Sequence, residues 1–316
     1  LPYLMHFQLF GKAFASFFIT ILLVLSCSDS STNPDETQYS GWAISPSSTN
    51  GYASVIFTSN SGKVWTRQGN PFIFSDVEFS DVSALNSTTA FISGFDLQNM
   101  NGLIFKTTDA GKTWINLQLP NIVNGKNLNC IRTGKNNTVI AGGNAGMFLI
   151  STDAGVSWQE KNIPVPDSNY AIFRVDCDGN QRLIAGVSND NDGFAMYYSY
   201  DSGNTWSTQS SKNEYWNGLI DVSWVQGTDI IYASGTHHST NGCYNISKDA
   251  GKTWTLIDTM GMSHFNAIFA YDSNSVWTGA DRENFARTTN GGTTCEKQIL
   301  NFNGIWILGI SAVSQN

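Results

Sequence analysis

The chain contains 316 residues, of which 41% are hydrophobic, 13% aromatic and 13% charged, and 29 are glycine. This length allows one large domain or two small ones with a sizeable core, whereas the low charge excludes long helices with charge-paired faces. Lys and Arg number 17 against 25 Asp and Glu, and the net charge of −8 argues against nucleic-acid binding, which requires a basic surface. The composition therefore indicates short strands joined by tight turns.

The first 26 residues have the pattern of an export signal. Lys12 precedes an apolar run, Ala13–Leu25, which is shorter than the ~20 residues that a membrane-spanning helix needs. The Leu-Ser-Cys sequence that ends at Cys27 resembles a bacterial lipobox, in which the cysteine is acylated. The alternative is a plain N-terminal anchor helix with an incidental cysteine. We expect residues 1–26 to be a lipoprotein signal peptide and the mature chain to be exported and anchored through Cys27, at the outer membrane or cell surface.

A polar segment separates this signal from the rest of the chain. Residues 28–38 lack bulky apolar groups, which predicts a flexible tether over residues 27–39 and a domain over residues 40–316. Export permits disulfides, but the four cysteines of the domain lie far apart and include no C-x-x-C pair. We therefore expect no metal site and no cofactor. Buried free thiols are the favoured interpretation for most of Cys130, Cys177, Cys243 and Cys295.

Six short stretches of the domain repeat one pattern: Ser or Thr first, Asp or Asn third, Gly fifth, and Trp or Cys eighth. Their first residues lie 41 to 49 residues apart, a period typical of repeated β-sheet units. The third side chain can accept hydrogen bonds from following backbone N–H groups, and the glycine adopts a conformation that other residues resist. The stretches are TSNSGKVW (58–65), TTDAGKTW (107–114), STDAGVSW (151–158), SYDSGNTW (199–206), SKDAGKTW (247–254) and TTNGGTTC (288–295).

These stretches resemble the Asp-box, or BNR repeat. In that family the box joins the third and fourth strands of a β-propeller blade, on the rim away from the ligand. The resemblance implies an all-β fold, a six-bladed β-propeller with four antiparallel strands per blade, with seven blades as the alternative. It also implies that the box residues are structural rather than catalytic. They are Asn60, Asp109, Asp153, Asp201, Asp249 and Asn290, with Trp65, Trp114, Trp158, Trp206 and Trp254.

The residues between the boxes predict the strands of one unit and the closure of the ring. In the second unit, strand-like runs separated by turn residues lie at 76–82, 89–95, 102–108 and 113–119. One such sheet cannot cover both its faces, but sheets stacked around an axis can. Residues 309–316 are predicted to be a first strand and residues 40–48 a second strand. Their pairing in one sheet would close the ring and leave only short, protected edges.

The ligand-binding candidates lie in loops that the repeat itself does not require. In the family, the ligand-facing loops precede the first strand of a blade or join its second and third strands. Aromatic side chains there can stack on a ligand, whereas packing between blades, a plain turn or solvated histidines are the structural alternatives for these positions. The candidates are Asp190, Asp192, Tyr215, Trp216, His237, His238, His264 and Arg282.

Sialidases also contain Asp-boxes, which makes a glycoside hydrolase the alternative function. A sialidase resembles a six-bladed propeller with three arginines for the substrate carboxylate, a Tyr–Glu pair and an Asp acid/base. Phe173, Arg174 and Val175 resemble part of its Phe-Arg-Ile-Pro segment, but Asp176 replaces the proline. No Tyr–Glu pair can be assigned. Xyloglucanases use such boxes as well and need two opposed carboxylates, so the catalytic candidates are Arg174, Asp281 and Glu283.

Two further groups of Asp-box proteins act without catalysis, the sortilin-type receptors and the photosystem II stability/assembly-factor-like proteins. Residues 273–295 resemble the second group, because an aromatic second strand runs into a third strand that ends in the box. We therefore expect a non-catalytic module at the cell envelope. Its expected partner is a protein or a carbohydrate on the loop face, its only membrane contact is the lipid anchor, and no nucleic acid is involved.

Overall fold

The structure is a computed structural model, and it describes most of the domain expected at residues 40–316. The described residues are 39–45, 53–59, 64, 66–68, 74–179, 181–189, 193–209, 218–236, 242–258, 265–280, 284–294, 296–299 and 313–314. The signal peptide, Cys27 and the box residues Asn60 and Trp65 lie outside these ranges. Within them, no helix is both long enough and apolar enough to cross a membrane.

The described chain is all-β and is built from antiparallel strands. The first sheet contains β1 (Tyr39–Ser45), β2 (Ser54–Thr58) and β3 (Thr66–Gln68). The second contains β4 (Val77–Ala84), β5 (Ala90–Asp96), β6 (Gly102–Thr107) and β7 (Ile115–Asn116). After a 3-10 turn at Asn121–Val123, the third contains β8 (Leu128–Thr133), β9 (Val139–Gly143), β10 (Met147–Ser151) and β11 (Gln159–Asn162).

The second half of the chain repeats the same arrangement. The fourth sheet contains β12 (Ala171–Cys177), β13 (Leu183–Asn189), β14 (Gly193–Ser199) and β15 (Ser207–Gln209). The fifth contains β16 (Gly218–Trp224), β17 (Ile231–Thr236), β18 (Gly242–Ser247) and β19 (Thr255–Asp258). The sixth contains β20 (Phe265–Ala270), β21 (Val276–Ala280), β22 (Asn284–Thr288) and β23 (Glu296–Ile299).

The last strand, β24 (Val313–Ser314), joins the first sheet rather than the sixth. It pairs antiparallel with β1, with Tyr39 opposite Ser314 and Ser40 opposite Val313. The first sheet therefore has the order β24-β1-β2-β3. This is the pairing between a C-terminal first strand and an N-terminal second strand that the sequence predicts.

The second sheet shows how well strand positions follow from the sequence. β4, β5 and β6 each lie within two residues of the predicted runs at 76–82, 89–95 and 102–108. The fourth run, at 113–119, contains only the two-residue strand β7. Both residues of β7 are exposed, because this outermost strand has a neighbour on one side only, and packing does not extend it.

Successive sheets meet along their first strands. β4 contacts β8, β8 contacts β12, β12 contacts β16, and β16 contacts β20, which is the arrangement of a propeller around an axis. Each of these five strands has a shift in register near its start, the sign of a β-bulge, which redirects the side chains that follow it. The shifts fall between Phe79/Asp81, Leu128/Cys130, Ile172/Arg174, Leu219/Asp221 and Phe265/Ala267.

Apolar side chains fill the space between consecutive sheets. Between the first and second sheets, Trp42 belongs to a buried cluster in which the Phe74 ring lies 5.0 Å from that of Phe79 and 5.5 Å from that of Phe105. Further buried clusters combine residues of each later pair of consecutive sheets. The box tryptophans join these clusters, each on the side of the preceding sheet: Trp114, Trp158, Trp206 and Trp254.

Connections between strands lie at two opposite edges of each sheet. In the second sheet, the β5–β6 connection and the segment before β4 meet at one edge, where Leu97 N–H donates to the Asp76 carbonyl oxygen at 2.8 Å. The β4–β5 connection and the repeated turn meet at the other edge, where Ala110 N–H donates to the Thr88 carbonyl oxygen at 2.9 Å. We call these the loop edge and the turn edge. The antiparallel strand order gives the other sheets the same two edges.

Candidate functional site

The repeated turns are closed by their own side chains. In the second sheet, Asp109 Oδ1 accepts hydrogen bonds from Thr113 N–H at 2.9 Å and Thr107 Oγ1 at 2.8 Å. Its Oδ2 accepts from Thr113 Oγ1 at 2.6 Å, and Gly111 N–H donates to Thr107 Oγ1 at 2.8 Å. The hydroxyl and backbone bonds to the carboxylate recur at Asp153, Asp201 and Asp249.

The hydrogen bonds within these turns keep the carboxylates ionised. Bonds from Thr113 hold the pKa of Asp109 at about 2, and bonds from Ser157 hold the pKa of Asp153 at about 2. The pKa values of Asp201 and Asp249 are lowered as well; at Asp249 the bonds from Thr253 outweigh burial, which acts in the opposite direction. Each of these four carboxylates is therefore engaged in its own turn and is ionised at neutral pH.

All eight ligand-binding candidates, and two of the three catalytic candidates, lie in connections outside the described residues. The structure neither brings them together nor separates them. The described strands on either side show which connections contain them: β13–β14, β15–β16, β17–β18, β19–β20 and β21–β22. The described strand ends that border these five connections lie on the loop edge. The residues concerned are Asp190, Asp192, Tyr215, Trp216, His237, His238, His264, Asp281, Arg282 and Glu283.

The described part of the loop edge combines amide bonds with exposed apolar groups. Asn129, the bulge residue of β8, donates through Nδ2 to Asn144 Oδ1 at 3.0 Å and to the Ile172 carbonyl oxygen at 3.1 Å. Phe173, the bulge residue of β12, is 37% exposed, and Leu97 and Met100 in the β5–β6 connection are exposed too. The turn edge also exposes apolar side chains, among them Val156, Tyr200 and Tyr271. Apolar exposure alone therefore does not distinguish the edges.

Arg174 belongs to a cluster of charged side chains where the first strands converge. Arg132 of β8 lies between two carboxylates, with Nη1 2.7 Å from Asp81 Oδ2 of β4 and Nη2 3.3 Å from Asp221 Oδ1 of β16. Arg174 Nε lies 3.2 Å from the same Asp221 oxygen. Because Arg132 reaches a strand two sheets further along the chain, these groups lie near the axis. Together with Asp176 of β12, we call them the axial cluster.

The carboxylates of the axial cluster also bind the backbone of neighbouring sheets. Asp81 Oδ2 accepts from Ile131 N–H at 3.1 Å, and Asp221 Oδ2 accepts from Ile268 N–H at 3.0 Å. Asp176 Oδ2 accepts from Trp224 N–H at 2.7 Å. Each carboxylate is at most 7% exposed. These bonds therefore join β4 to β8, β12 to β16, and β16 to β20.

Burial sets the protonation of the axial cluster. It raises the pKa of Asp176 to about 7, although the Arg132 charge and two backbone N–H groups act in the opposite direction. Burial also raises the pKa of Asp221, against the charges of Arg132 and Arg174. Burial lowers the pKa of Arg132, but the charges of Asp81, Asp221 and Asp176 outweigh it and the pKa is raised. The Arg132 guanidinium therefore stays charged, and it lies within ion-pair distance of Asp81 and Asp221.

This arrangement is chemically suited to holding the sheets together. Glycoside hydrolysis needs two carboxylates that face one sugar, whereas the axial carboxylates face arginine and backbone N–H groups. Among the described residues, no three His, Cys, Asp or Glu side chains form a group that could hold a metal ion. Cys130 and Cys177 are free and buried, as the sequence predicts, and burial raises the pKa of the Cys130 thiol to about 12.

Sequence reasoning did not find the axial residues Asp81, Arg132, Asp176 and Asp221 as a cluster. One signal was present: Asp-Val-Ser occurs at 81–83 and again at 221–223. Both copies follow a bulge at the same place in a first strand. A charged residue repeated within an apolar strand is rarely buried without a partner, so the repetition marks these positions.

Several solved structures share this fold at low sequence identity. A chain described as YCF48 bound to D1 peptide is 17% identical, with a TM-score of 0.58 over 84% of this chain and 78% of that one. A GH74 xyloglucanase from Xanthomonas campestris is 14% identical, with a TM-score of 0.58 over 91% of this chain and 46% of that one. At such identities the likeness concerns the fold alone.

Comparison at the sequence level gives one relative and one family. A xyloglucanase from Paenibacillus sp is 28% identical over 142 residues, which are 36% of this chain and 13% of the relative. The matched segment is thus a small part of that enzyme. The family model of the DUF6242 beta propeller domain matches residues 43–314, almost the whole of the domain. The chain belongs to the DUF6242 beta propeller family.

Proposed function

We propose that this chain is a six-bladed propeller that binds a protein on its loop edge without catalysis. The observation that carries the proposal is the axial cluster. Asp81, Asp176 and Asp221 accept hydrogen bonds from the backbone of the next first strand, and Arg132 and Arg174 supply ion pairs. Carboxylates engaged in this way are not available to attack a substrate or to protonate it.

Two observations support a protein as the ligand. The YCF48 structure has a bound D1 peptide, so a propeller of similar fold binds a polypeptide. The loop edge of this chain exposes Leu97, Met100 and Phe173, and apolar side chains of this kind anchor protein interfaces. The aromatic candidates Tyr215 and Trp216 belong to the β15–β16 connection, which the repeat does not require.

Six blades, export and lipid anchoring are part of the proposal. Six blades are supported by six four-stranded sheets in the described residues and by the β24–β1 pairing. Export and anchoring rest on the pattern that ends at Cys27. We expect a full-length Cys27→Ala chain to leave the membrane fraction. If the variant still sediments with membranes, the alternative anchor helix holds the protein and acylation does not.

A glycoside hydrolase is the second candidate function, because the sequence relative is a xyloglucanase. Its two carboxylates would come from the loop-edge candidates Asp190, Asp192, Asp281 and Glu283. A carbohydrate ligand without hydrolysis is the intermediate case. Both are separated from protein binding by incubating the full-length Cys27→Ala chain with xyloglucan oligosaccharides and sialyl glycosides. A glycan array detects binding, and product analysis detects cleavage.

The protein-binding proposal is tested by site-specific photo-crosslinking in the native cells. A photoreactive phenylalanine analogue replaces Phe173 on the loop edge, and the matched control places it at Val156, which is 80% exposed on the turn edge. We expect one discrete protein adduct at position 173 and none at position 156. Equal adducts at both positions, or none at 173 together with cleavage of a glycan, would overturn the proposal.

A further inference from the structure

The first strands are joined to one another by a repeated side-chain contact. In three of these strands, the residue immediately after the bulge is Asp81, Arg174 or Asp221. The side chain two residues further along accepts a hydrogen bond from a backbone N–H group of the next first strand. We call this contact a joint. Ser83 joins the second and third sheets, Asp176 the fourth and fifth, and Ser223 the fifth and sixth. The bonds are Thr133 N–H to Ser83 Oγ at 3.0 Å, Trp224 N–H to Asp176 Oδ2 at 2.7 Å, and Ala270 N–H to Ser223 Oγ at 3.0 Å.

The joint at Asp176 differs from the other two in its chemistry. A serine hydroxyl accepts this bond at any pH, whereas Asp176 is a buried carboxyl group, 7% exposed. Both of its oxygens already face donors, Oδ1 the Cys177 N–H at 2.7 Å and Oδ2 the Trp224 N–H at 2.7 Å. A proton on either oxygen adds an O–H donor and removes the negative charge from the group. The strength of this joint therefore depends on protonation, unlike that of the serine joints.

The ion pairs of the axial cluster go to Asp81 and Asp221 rather than to Asp176. Arg132 of β8 pairs with Asp81 and Asp221, and Arg174 of β12 pairs with Asp221. Among the described residues, no cationic group lies within ion-pair distance of Asp176. Three carboxylates thus share two guanidinium groups, so a proton taken up by the cluster removes its excess negative charge.

The groups around Asp176 act in opposite directions on its charge. Burial and the Asp221 carboxylate of β16 favour the neutral acid, whereas Arg132 of β8 and the Trp224 and Cys177 N–H groups favour the carboxylate. The neighbouring Cys177 thiol on β12 and the Cys130 thiol on β8 are buried and uncharged at neutral pH. The balance sets the pKa of Asp176 at about 7.

We propose that the joint between the fourth and fifth sheets is a proton-responsive contact. In it Asp176 gives up its proton to solvent as pH rises through neutrality, which leaves a buried negative charge between β12 and β16, while the serine joints do not respond. Above neutral pH, the first strands β12 and β16 are then held together less tightly than β16 and β20. This joint lies at the start of the turn-edge connection after Trp224, whose ring centroid lies 5.2 Å from the Arg182 guanidinium carbon.

Amide hydrogen exchange measured by NMR between pH 5 and pH 8 tests this proposal within one chain. The Trp224 amide reports the Asp176 joint, and the Ala270 amide reports the Ser223 joint as an internal control. After correction for intrinsic exchange rates, we expect Trp224 protection to fall about fivefold relative to Ala270 as pH rises through neutrality, because opening the joint hydrates the ionised carboxylate. Labelling the aspartate carboxyl carbons gives a second readout, a titration of Asp176 with its midpoint near neutral pH.

The matched variant is Asp176→Ser, which gives this joint the residue that the other two joints contain. It is expected to abolish the pH dependence of the Trp224-to-Ala270 ratio. If Asp176→Ser does not fold, Asp176→Asn serves instead, because its amide does not titrate in this range. A ratio that stays constant in the natural chain, or one that still changes in either variant, would overturn the proposal.

Discussion

Aspartate occupies two repeated places in this propeller, and the two places change its acidity in opposite directions. At the turn edge, Asp109 and Asp153 accept hydrogen bonds from the hydroxyl and backbone groups of their own turns, and their pKa values fall to about 2. At the axis, burial raises the pKa of Asp176 to about 7. The comparison teaches that solvent access decides the acidity, because both kinds of aspartate accept hydrogen bonds from backbone N–H groups.

The two places also couple stability to pH with opposite signs. A turn aspartate has a lower pKa in the folded than in the unfolded chain. Its contribution to stability is complete above the unfolded value of 3.8 and is lost as pH falls through about 2. Asp176 has a raised pKa when folded, so its contribution is complete below 3.8 and is lost as pH rises through about 7. Acid therefore weakens the turns first, whereas alkali weakens the axis.

The largest effect is expected from removing the guanidinium group at the centre of the axial cluster. Arg132→Met leaves Asp81 and Asp221 buried without their shared partner. Breaking a buried ion pair on one side only costs about 3–5 kcal/mol, so we expect a loss of that size in the free energy of unfolding. Urea denaturation at pH 7 measures it.

The matched control for this variant is Lys112→Met, in the exposed part of a repeated turn. It removes a positive charge from the turn edge instead of the axis. We expect it to change the free energy of unfolding by less than about 0.5 kcal/mol. Adding Asp81→Asn to Arg132→Met is expected to restore part of the loss, because it removes one unpaired charge. A loss below about 1 kcal/mol for Arg132→Met would show that the axial ion pairs are solvated and not structural.

A smaller effect separates two glycines that occupy the same position in different turns. Gly251 and Gly203 have φ of 88° and 80°, where any side chain costs about 1–2 kcal/mol. A Cβ at Gly251 would lie 2.2 Å from the Tyr198 ring of the preceding sheet, whereas at Gly203 its nearest neighbour is a Leu183 methyl at 3.4 Å. Thermal or urea unfolding should show a loss of about 3 kcal/mol for Gly251→Ala and about 1 kcal/mol for Gly203→Ala.

This pair tests whether the turns act only locally. If they did, the two alanine variants would lose the same stability, because the backbone strain is the same. The difference arises from contact with the neighbouring sheet, and Tyr198→Leu in the Gly251→Ala chain is expected to reduce it. Equal losses in the two single variants would show that the turn at Gly251 moves away from Tyr198 at little cost.

The difference between the turn edge and the axial cluster also explains what the sequence reveals. All partners of Asp109 lie within four residues of it in the chain, so a short motif was sufficient to predict the turn. The partners of Arg132 are Asp81 and Asp221, 51 and 89 residues away. No local pattern relates residues at those distances. The strand positions were predictable from alternating apolar residues and turn residues, whereas the axial pairing depends on which sheets become neighbours.

The same limit applies to the ligand-binding candidates. The strand order was predictable, and it puts on the loop edge the strand ends that border the connections with Tyr215, Trp216, His237 and Arg282. Contacts among those side chains depend on loop conformations that the repeat does not specify. Their role as a binding surface therefore stays a prediction, whereas the antiparallel four-stranded sheets and the propeller arrangement are confirmed.

The smallest effect is expected in the sixth turn, where Asn290 replaces the usual aspartate. Its Oδ1 accepts from Thr294 N–H at 2.9 Å, but its Nδ2 donates to Thr294 Oγ1, the reverse of the hydroxyl bond in the aspartate turns. Asn290→Asp restores a charge-assisted bond from that hydroxyl. At pH 7 we expect a gain of less than about 1 kcal/mol in the free energy of unfolding, measured by urea denaturation.

The pH dependence of this gain in stability shows whether it comes from the charge of the new carboxylate or from the shape of the turn. If the new carboxylate is stabilised as Asp109 is, the gain is complete above pH 4 and disappears as pH falls through about 2, where the group takes up a proton. The reciprocal variant Asp249→Asn should lose stability over the same pH range. A gain that persists undiminished in acid would mean that the shape of the turn, and not the charge on its third residue, determines how tightly it closes. The contrast between the turn edge and the axis would then rest on the axial aspartates alone.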